Sequence, residues 1–530
     1  MTCLALACAL CSNQSLRAAE DKPQVPGNDD NEGMTIGMNL SAVKDWSRAW
    51  VFVDVFKTSR PWIAQKPGGG GVWGTQEKLE LTSRGWPLLK EGQAAGTLMW
   101  QGTNGHYPGG NYLLTFEGKG RIFISWDAHV RTRVITRPQA VNIKPSKRGV
   151  FLRIEQSDRR DPIRNIRLMM PGFEKAASPF HPTFIERLRP FGVIRFMNWQ
   201  HTNNSPLAHW ADRTTPQSAR QSGPNGVALE YMIGLCNEIG AAPWFCMPHL
   251  ADDEFVRNFA QLVKNKLRPD VKIYLEWTNE PWNSGLFAQG QWVRQQAKQR
   301  GVSVFAMMAE QFSRDARIWH EVFGDDKDRV IRVPPGHLKI RGTTRILDEL
   351  DGEFDAVACG GYFGPQPQDK KIFDENTTSE QVLLSTMHRI ENVTLPDIAQ
   401  FKKLAARWEQ KLGRPIPLLT TEAGQGIIPI GGFMGARRQF VPWKQVAWDC
   451  QTHPMMHKVY TKMLRGSREA GLELFMAYVY VSGQSKWGSW GHLQYQDDPI
   501  EKAPKFRALL DMALPLREGD AATPYTPKPR

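Results

Sequence analysis

The chain reads as an α/β protein, a (β/α)8 TIM barrel with an antiparallel β-sandwich inserted after its first strand. Three observations predict this. Strands and amphipathic helices alternate strictly from about residue 180 onward. The strands are near-continuous apolar runs, eight in all, as in a parallel sheet covered on both faces and closed into a barrel. Between the first and second runs lie short alternating segments punctuated by Gly, Asn or Asp, the pattern of an antiparallel sandwich. An open doubly wound sheet is the alternative, but no glycine-rich phosphate loop follows any strand.

In chain order, residues 1–33 form a signal-like segment and flexible leader. The apolar "MTCLALACALC" gives way to "SNQSLRAAED", with small residues at Ala18 and Ala19, and then to the polar, Pro/Gly-rich 20–33. The opening lacks the positive charge of a standard signal. A secreted or periplasmic protein is nonetheless expected, with a lipoprotein the lesser alternative because no clean lipobox precedes Cys8 or Cys11. Residues 34–66 hold the first strand, "MTIGMNL" (34–40), and the segment after it. The sandwich is expected over 67–175, from "KLELTS", "GTLMWQG", "NYLLTFEG", "RIFISWDA", "RTRVITR", "GVFLRIEQS" and "IRNIRLMMPG".

The rest of the barrel occupies 176–515. Its strands are read at 192–199, 243–250, 271–280, 329–335, 354–363, 416–424 and 472–483. Segments such as "DDEFVRNFAQLVKNKL" and "LPDIAQFKKLAARWEQKLG" repeat apolar residues at i, i+3, i+4 and i+7 and are read as helices between them. Residues 516–530 are a Pro-rich tail.

Of the 530 residues, 41% are hydrophobic and 23% charged, an ordinary globular balance, and no apolar run is long enough to span a bilayer. The net charge of +13 suits an anionic partner. Lys and Arg are scattered, however, and their densest stretch, 131–138, alternates like a strand, so no nucleic-acid binding is expected. Trp outnumbers Tyr, 19 to 10, and an indole serves both core packing and stacking on a sugar ring. For Trp73, Trp86, Trp100, Trp126 and Tyr107 of the sandwich, core packing is expected in most cases. Cys236, Cys246, Cys359 and Cys450 lack CxxC spacing and are read as buried thiols. No HxxxH falls at a strand end, so neither a metal nor an organic cofactor is implied. Oligomeric state is not legible.

Barrel enzymes place reactive groups at the carboxyl ends of their strands. The polar residues there are Arg195 and Asn198 on the second strand, His249 on the third, and Asn279 and Glu280 on the fourth, followed by Trp282. Tyr362 ends the sixth, Glu422 the seventh, and the eighth leads to Trp487 and Trp490. Glu280 and Glu422 would face each other across the mouth. Glycosidic cleavage needs such a pair, one carboxyl to protonate the leaving oxygen and one to meet the oxocarbenium-like centre. Each residue also has a structural reading: Asn-Glu-Pro can cap a helix, Arg195 can neutralise a barrel carboxylate, and His249 can be a satisfied interior histidine. Glu276, four residues earlier on the same strand, is read as structural.

"WTNEP" at 277–281 and "LLTTEAG" at 418–424 resemble the motifs of clan A glycoside hydrolases, the retaining (β/α)8 superfamily that includes family 5. The resemblance covers 180–515. It implies Glu280 as acid/base, Glu422 as nucleophile and Asn279 as partner of the sugar 2-hydroxyl. Arg195, His249 and Tyr362 resemble the clan's strand-two Arg, its polar His and the Tyr that bonds the nucleophile, and Trp487 or Trp490 resembles its strand-eight platform. Gly360-Gly361-Tyr362 departs from the His-x-Tyr common in family 5, which points to a less common branch.

The function expected is a retaining glycoside hydrolase acting on β-glycosidic bonds of a polysaccharide or oligosaccharide, with endo action favoured over exo. The alternative is a non-catalytic carbohydrate-binding protein on the same barrel. The loop 102–112, "GTNGHYPGGNY", is a candidate extra edge of the cleft.

Overall fold

The computed structural model describes residues 34–69, 73–130, 133–336, 339–431 and 439–513. The leader expected over 1–33 and the tail expected over 516–530 lie outside the described residues.

Eight strands run parallel in one curled sheet: β1 (Thr35–Asn39), β2 (Val193–Arg195), β3 (Ala242–Met247), β4 (Ile273–Trp277), β5 (Val330–Val333), β6 (Val357–Phe363), β7 (Leu418–Gln425) and β8 (Leu472–Ala477). Each overlaps one of the eight runs read from the sequence. Their order in space is β5, β4, β3, β2, β1, β8, β7, β6, which makes the fold TIM-barrel-like. Among the described residues β5 and β6 share no ladder. They meet where the Asp355 N–H donates to the Arg332 carbonyl over 2.9 Å and the Arg332 guanidinium grips the Asp355 carboxylate with two bonds of 2.8 Å.

The strands are largely apolar because both faces are covered, and alternate residues sort into two cores. Val193, Trp244, Cys246, Val333, Ala358, Leu419, Leu474 and Met476 pack together inside the barrel. Ile194, Phe245, Met247, Leu275 and Trp277 join the core shared with the helices. Gly37 is required on the inner face, where a Cβ would sit 2.1 Å from the Met476 sulfur. Helices close the connections with local signals. The helix Asp253–Lys266 begins where Asp252 caps the Phe255 N–H at 2.7 Å and ends on Lys264 and Lys266, which complement its dipole.

The inserted segment forms two antiparallel sheets. One orders Arg164–Met169, Gly110–Glu117, Gln139–Ile143 and Ala128–His129; the other orders Ile63–Gln65, Ala94–Met99, Val150–Ser157, Gly120–Trp126 and Val134–Ile135. Tyr112, Leu114, Val141 and Leu168 of the first share a buried core with Ala95, Ile122, Ile124, Leu152 and Ile154 of the second. Two details differ from the sequence reading. "KLELTS" makes only an isolated bridge, Leu81 to Pro87, flanked by the Thr82 N–H on the Trp86 carbonyl and the Leu88 N–H on the Glu80 carbonyl, and Arg159 takes the Leu88 carbonyl. The strand at 139–143 was hidden by Pro138 and by its polar Gln and Asn. Trp86, Trp100 and Tyr107 lie in the core, as expected for most of these aromatics, whereas Trp73 and Trp126 stack on each other at 5.9 Å nearer the surface.

The loop 102–112 docks on the segment after β8. Asn104 Nδ2 donates to the Tyr495 hydroxyl at 2.7 Å, His106 stacks on Tyr495 at 3.7 Å, and the His106 ring meets Asp497 at 3.1 Å. Cys236, Cys246, Cys359 and Cys450 are free and buried. Among the described residues no helix is long and apolar enough to cross a membrane.

Candidate active site

Register brings the polar residues together. Asn39 aligns with Arg195, Cys246 with Glu276, and Gly360 with Glu422. Arg195 is completely buried, and a charge so placed must be paired. Its Nε and Nη2 donate to Glu276 Oε2 at 3.1 and 2.8 Å, and Nη2 also to Asn279 Oδ1 at 2.9 Å. Nη1 donates to Asn39 Oδ1 and to Glu422 Oε1, both at 3.1 Å. Glu276, 2% exposed, also accepts from Trp244 Nε1 at 2.8 Å, which fits the structural role read for it.

Glu422 thus has one oxygen on Arg195; the other accepts the Tyr362 hydroxyl at 2.7 Å. Burial, reinforced by the charge of Glu422, raises the Tyr362 pKa well above its ordinary value, so the phenol remains a donor. The glycines before Tyr362 have a steric cause. A Cβ on Gly361 would lie 2.5 Å from that of Ala423, so β6 approaches β7 too closely for a side chain there.

After β4 the backbone turns through two left-handed residues, Thr278 (φ 50°) and Glu280 (φ 43°), on either side of Asn279. Non-glycine residues adopt this region at a cost of about 1–3 kcal/mol, and such strain gathers at functional sites. The Glu280 pKa is pushed up to about 7, first by burial and then by the charge of Glu422, against the bond of 2.8 Å that Asn283 Nδ2 donates to its Oε2. Asn279 is held by Arg195 at its oxygen, and its Nδ2 donates to Asn203 Oδ1 at 3.0 Å. Gln289 Nε2 secures that corner with bonds of 2.7 Å to Asn203 Oδ1 and to the Asn279 carbonyl.

Glu280 and Glu422 line one narrow cavity together with Glu276, Asn279, Trp282 and Tyr362. Trp282 is fixed by its Nε1, which donates to the Gly336 carbonyl at 2.8 Å. The two strand-eight indoles part company. Trp490 packs edge-on against Tyr362 at 5.3 Å, while Trp487 sits on the turn 485–488, 46% exposed, with Lys486 4.9 Å from its ring. Asn198 donates to the Leu40 carbonyl at 2.8 Å, tying the loops after β1 and β2. His249 is buried, with Nδ1 unpartnered, its ring 6.0 Å from Trp292 and its pKa depressed to about 4 by burial; it is not among the residues lining the cavity.

The sequence reading missed Tyr478, which directly follows β8. Its ring meets Tyr362 at 6.3 Å and Trp490 at 6.2 Å, and burial, then Glu422, raises its pKa. Asn39 and Asn203 were missed as well. A polar residue closing an apolar strand was the available signal for Asn39, whereas nothing in the pattern marks Asn203. Among the described residues no group of three or more His, Cys, Asp and Glu side chains is placed to hold a metal ion.

No protein-family model and no curated protein sequence matches the chain. It resembles solved structures of glycosidases. With an α-L-arabinofuranosidase from Thermotoga maritima it shares 16% identity over 62% of this chain and 63% of that one, at a TM-score of 0.41. With a family 39 glycoside hydrolase from Bacteroides cellulosilyticus the values are 12%, 77%, 78% and 0.35, and with a family 5 endoglucanase from Clostridium acetobutylicum 10%, 64%, 92% and 0.33. The chain spans 60–64% of the length of the arabinofuranosidases it matches. At low identity, then, the structures it is similar to are clan A glycoside hydrolases of families 51, 39 and 5.

Proposed function

We propose that the protein is a retaining glycoside hydrolase that cleaves β-glycosidic bonds in a polysaccharide or oligosaccharide, with endo action favoured. One observation carries the reading. Two carboxyl groups share a cavity, and their surroundings differ in the way acid and nucleophile require: Glu280 is half-buried with its pKa pushed up to about 7, while Glu422 is held by the Arg195 and Tyr362 donors.

In the first step Glu422 attacks the anomeric carbon, and Glu280 gives its proton to the departing glycosidic oxygen. With that proton gone, Glu280 is a carboxylate and takes a proton from water. The water oxygen attacks the same carbon, and Glu422 leaves as a carboxylate. Arg195 and Tyr362 hold Glu422 in position for attack, and Asn279, oriented by Arg195, is placed to meet the sugar 2-hydroxyl.

The test is a polysaccharide panel with product lengths resolved by chromatography and the anomer of the first product followed by NMR. Glu280→Gln and Glu422→Gln are expected to lower turnover by several orders of magnitude. Unchanged turnover in either variant, or an inverted first anomer, would overturn the mechanism. Binding without any turnover in the wild-type chain would establish the carbohydrate-binding alternative.

A further inference from the structure

A second group of polar side chains lies on the loops that follow β1 and β2. Lys44 follows β1, His201 follows β2, and Arg220 lies in the connection from β2 to the helix Leu229–Ile239. Among the described residues none of the three is ion-paired. The adjacent acid, Asp45, is engaged by Arg60 at 2.7 Å. Lys44 Nζ donates only to the Ser222 carbonyl, at 2.7 Å. Arg220 Nε and His201 Nδ1 are shielded from water and have no hydrogen-bond partner. Unmet buried polar atoms are uncommon because each costs desolvation that nothing offsets.

Their surroundings disfavour positive charge. Burial lowers the pKa of Lys44, with Asp45 opposing and Arg220 adding to it; burial and then Lys44 lower that of His201; burial lowers that of Arg220. Lys44 thus repels both of the other two basic groups. On the same loop the turn closed by the Ser47 N–H on the Lys44 carbonyl (3.0 Å) carries Trp46, an indole left 55% exposed. The group is one loop from the acid: Asn203, two residues beyond His201, receives the Asn279 side chain, and Asn279 precedes Glu280.

We propose that Lys44, His201 and Arg220, with the face of Trp46, form a subsite for a sugar carrying a negative charge, either a carboxylate or a sulfate ester, next to the bond that is cut. The proposal rests on the hydrolase reading and names its substrate class as an anionic glycan. Cationic donors supply charge-assisted bonds, and an indole supplies a surface for the ring's C–H face. The net charge of +13 favours encounter with such a polymer.

The experiment is calorimetric titration of Glu280→Gln protein with neutral, uronate-bearing and sulfated oligosaccharides of equal length, at about 50 and about 500 mM NaCl, so that screening is varied several-fold. One anionic class is expected to bind at least about tenfold tighter than the neutral one at low salt and to lose that advantage at high salt; the class that does so identifies the charge. Lys44→Ala combined with Arg220→Ala should abolish the ratio, and Lys44→Gln and Arg220→Gln singly should each reduce it. The salt series needs no change in these loops, so it stands even where a variant does not fold. Equal affinity for all three sugars, a preference indifferent to salt, or no binding of either anionic sugar overturns the subsite. Wild-type hydrolysis without anionic preference removes the subsite alone, whereas anionic preference without hydrolysis removes the hydrolase reading alone.

Discussion

The Tyr362 hydroxyl donates to Glu422 Oε2 at 2.7 Å, while Arg195 holds the other oxygen of the same carboxylate at 3.1 Å. The two donors reach it from neighbouring β6 and from β2, so the carboxylate is fixed in orientation. A hydrogen bond to a charged group contributes about 1.5–3 kcal/mol. Tyr362→Phe should therefore lower kcat/KM by about tenfold to a hundredfold while leaving the thermal midpoint within a few degrees. Steady-state kinetics on an aryl glycoside and a circular dichroism melt measure the two; full activity would show that the phenol is dispensable.

The raised pKa of Glu280 fixes two pH dependences. A general acid works only when protonated, so kcat/KM should fall as pH rises through about 7. Stability moves the same way. The folded pKa exceeds the ordinary 4.5, so the favourable contribution is complete below 4.5 and is lost as pH climbs through about 7. Glu280→Gln should then resemble wild type near pH 4.5 and be more stable near pH 8 by up to about 3 kcal/mol. Urea unfolding at both pH values decides this, and a variant equally stable relative to wild type at both would contradict it.

Glu276 neutralises Arg195 from below. Removing one member of a buried pair leaves the other uncompensated, at a cost of about 3–5 kcal/mol. Glu276→Ala should lose that much in urea unfolding. It should also slow turnover, because Arg195 then turns wholly toward Glu422. A near-neutral effect on stability would mean that Glu422 and Asn39 suffice for the guanidinium.

Much of this arrangement was legible in the chain. The eight barrel runs were visible because strands covered on both faces cannot hide their apolarity, and Glu280 and Glu422 stood out as charges closing such runs. Tyr478 was not legible. It sits in "LELFMAYVYVSG", where Tyr480 is an equally plausible strand end, and only coordinates show Tyr478 beside Tyr362 while Tyr480 joins the outer core. The choice between Trp487 and Trp490 depended on a four-residue turn that no periodicity encodes. Arg195 had two readings, as partner of a barrel carboxylate and as neighbour of the seventh-strand Glu, and it bonds both Glu276 and Glu422 because a buried guanidinium has enough donors for both.

The junction of β5 and β6 carries a mechanical consequence. Elsewhere the barrel wall is stitched by successive backbone bonds, but among the described residues one backbone bond and the Arg332–Asp355 ion pair, joined by Arg414, act here as a clasp. Amide exchange should accordingly be faster at 330–333 and 355–358 than along β1 and β2, and Asp355→Asn should widen that contrast. Just above the clasp, Gly336 and Gly360 border the cavity of the two glutamates, and Trp282 leans on Gly336. A wall that parts along this single line would give a bulky chain a way into a chamber that is narrow at rest, and would make the clasp, whose two side chains do not line that chamber, a determinant of how large a polymer enters.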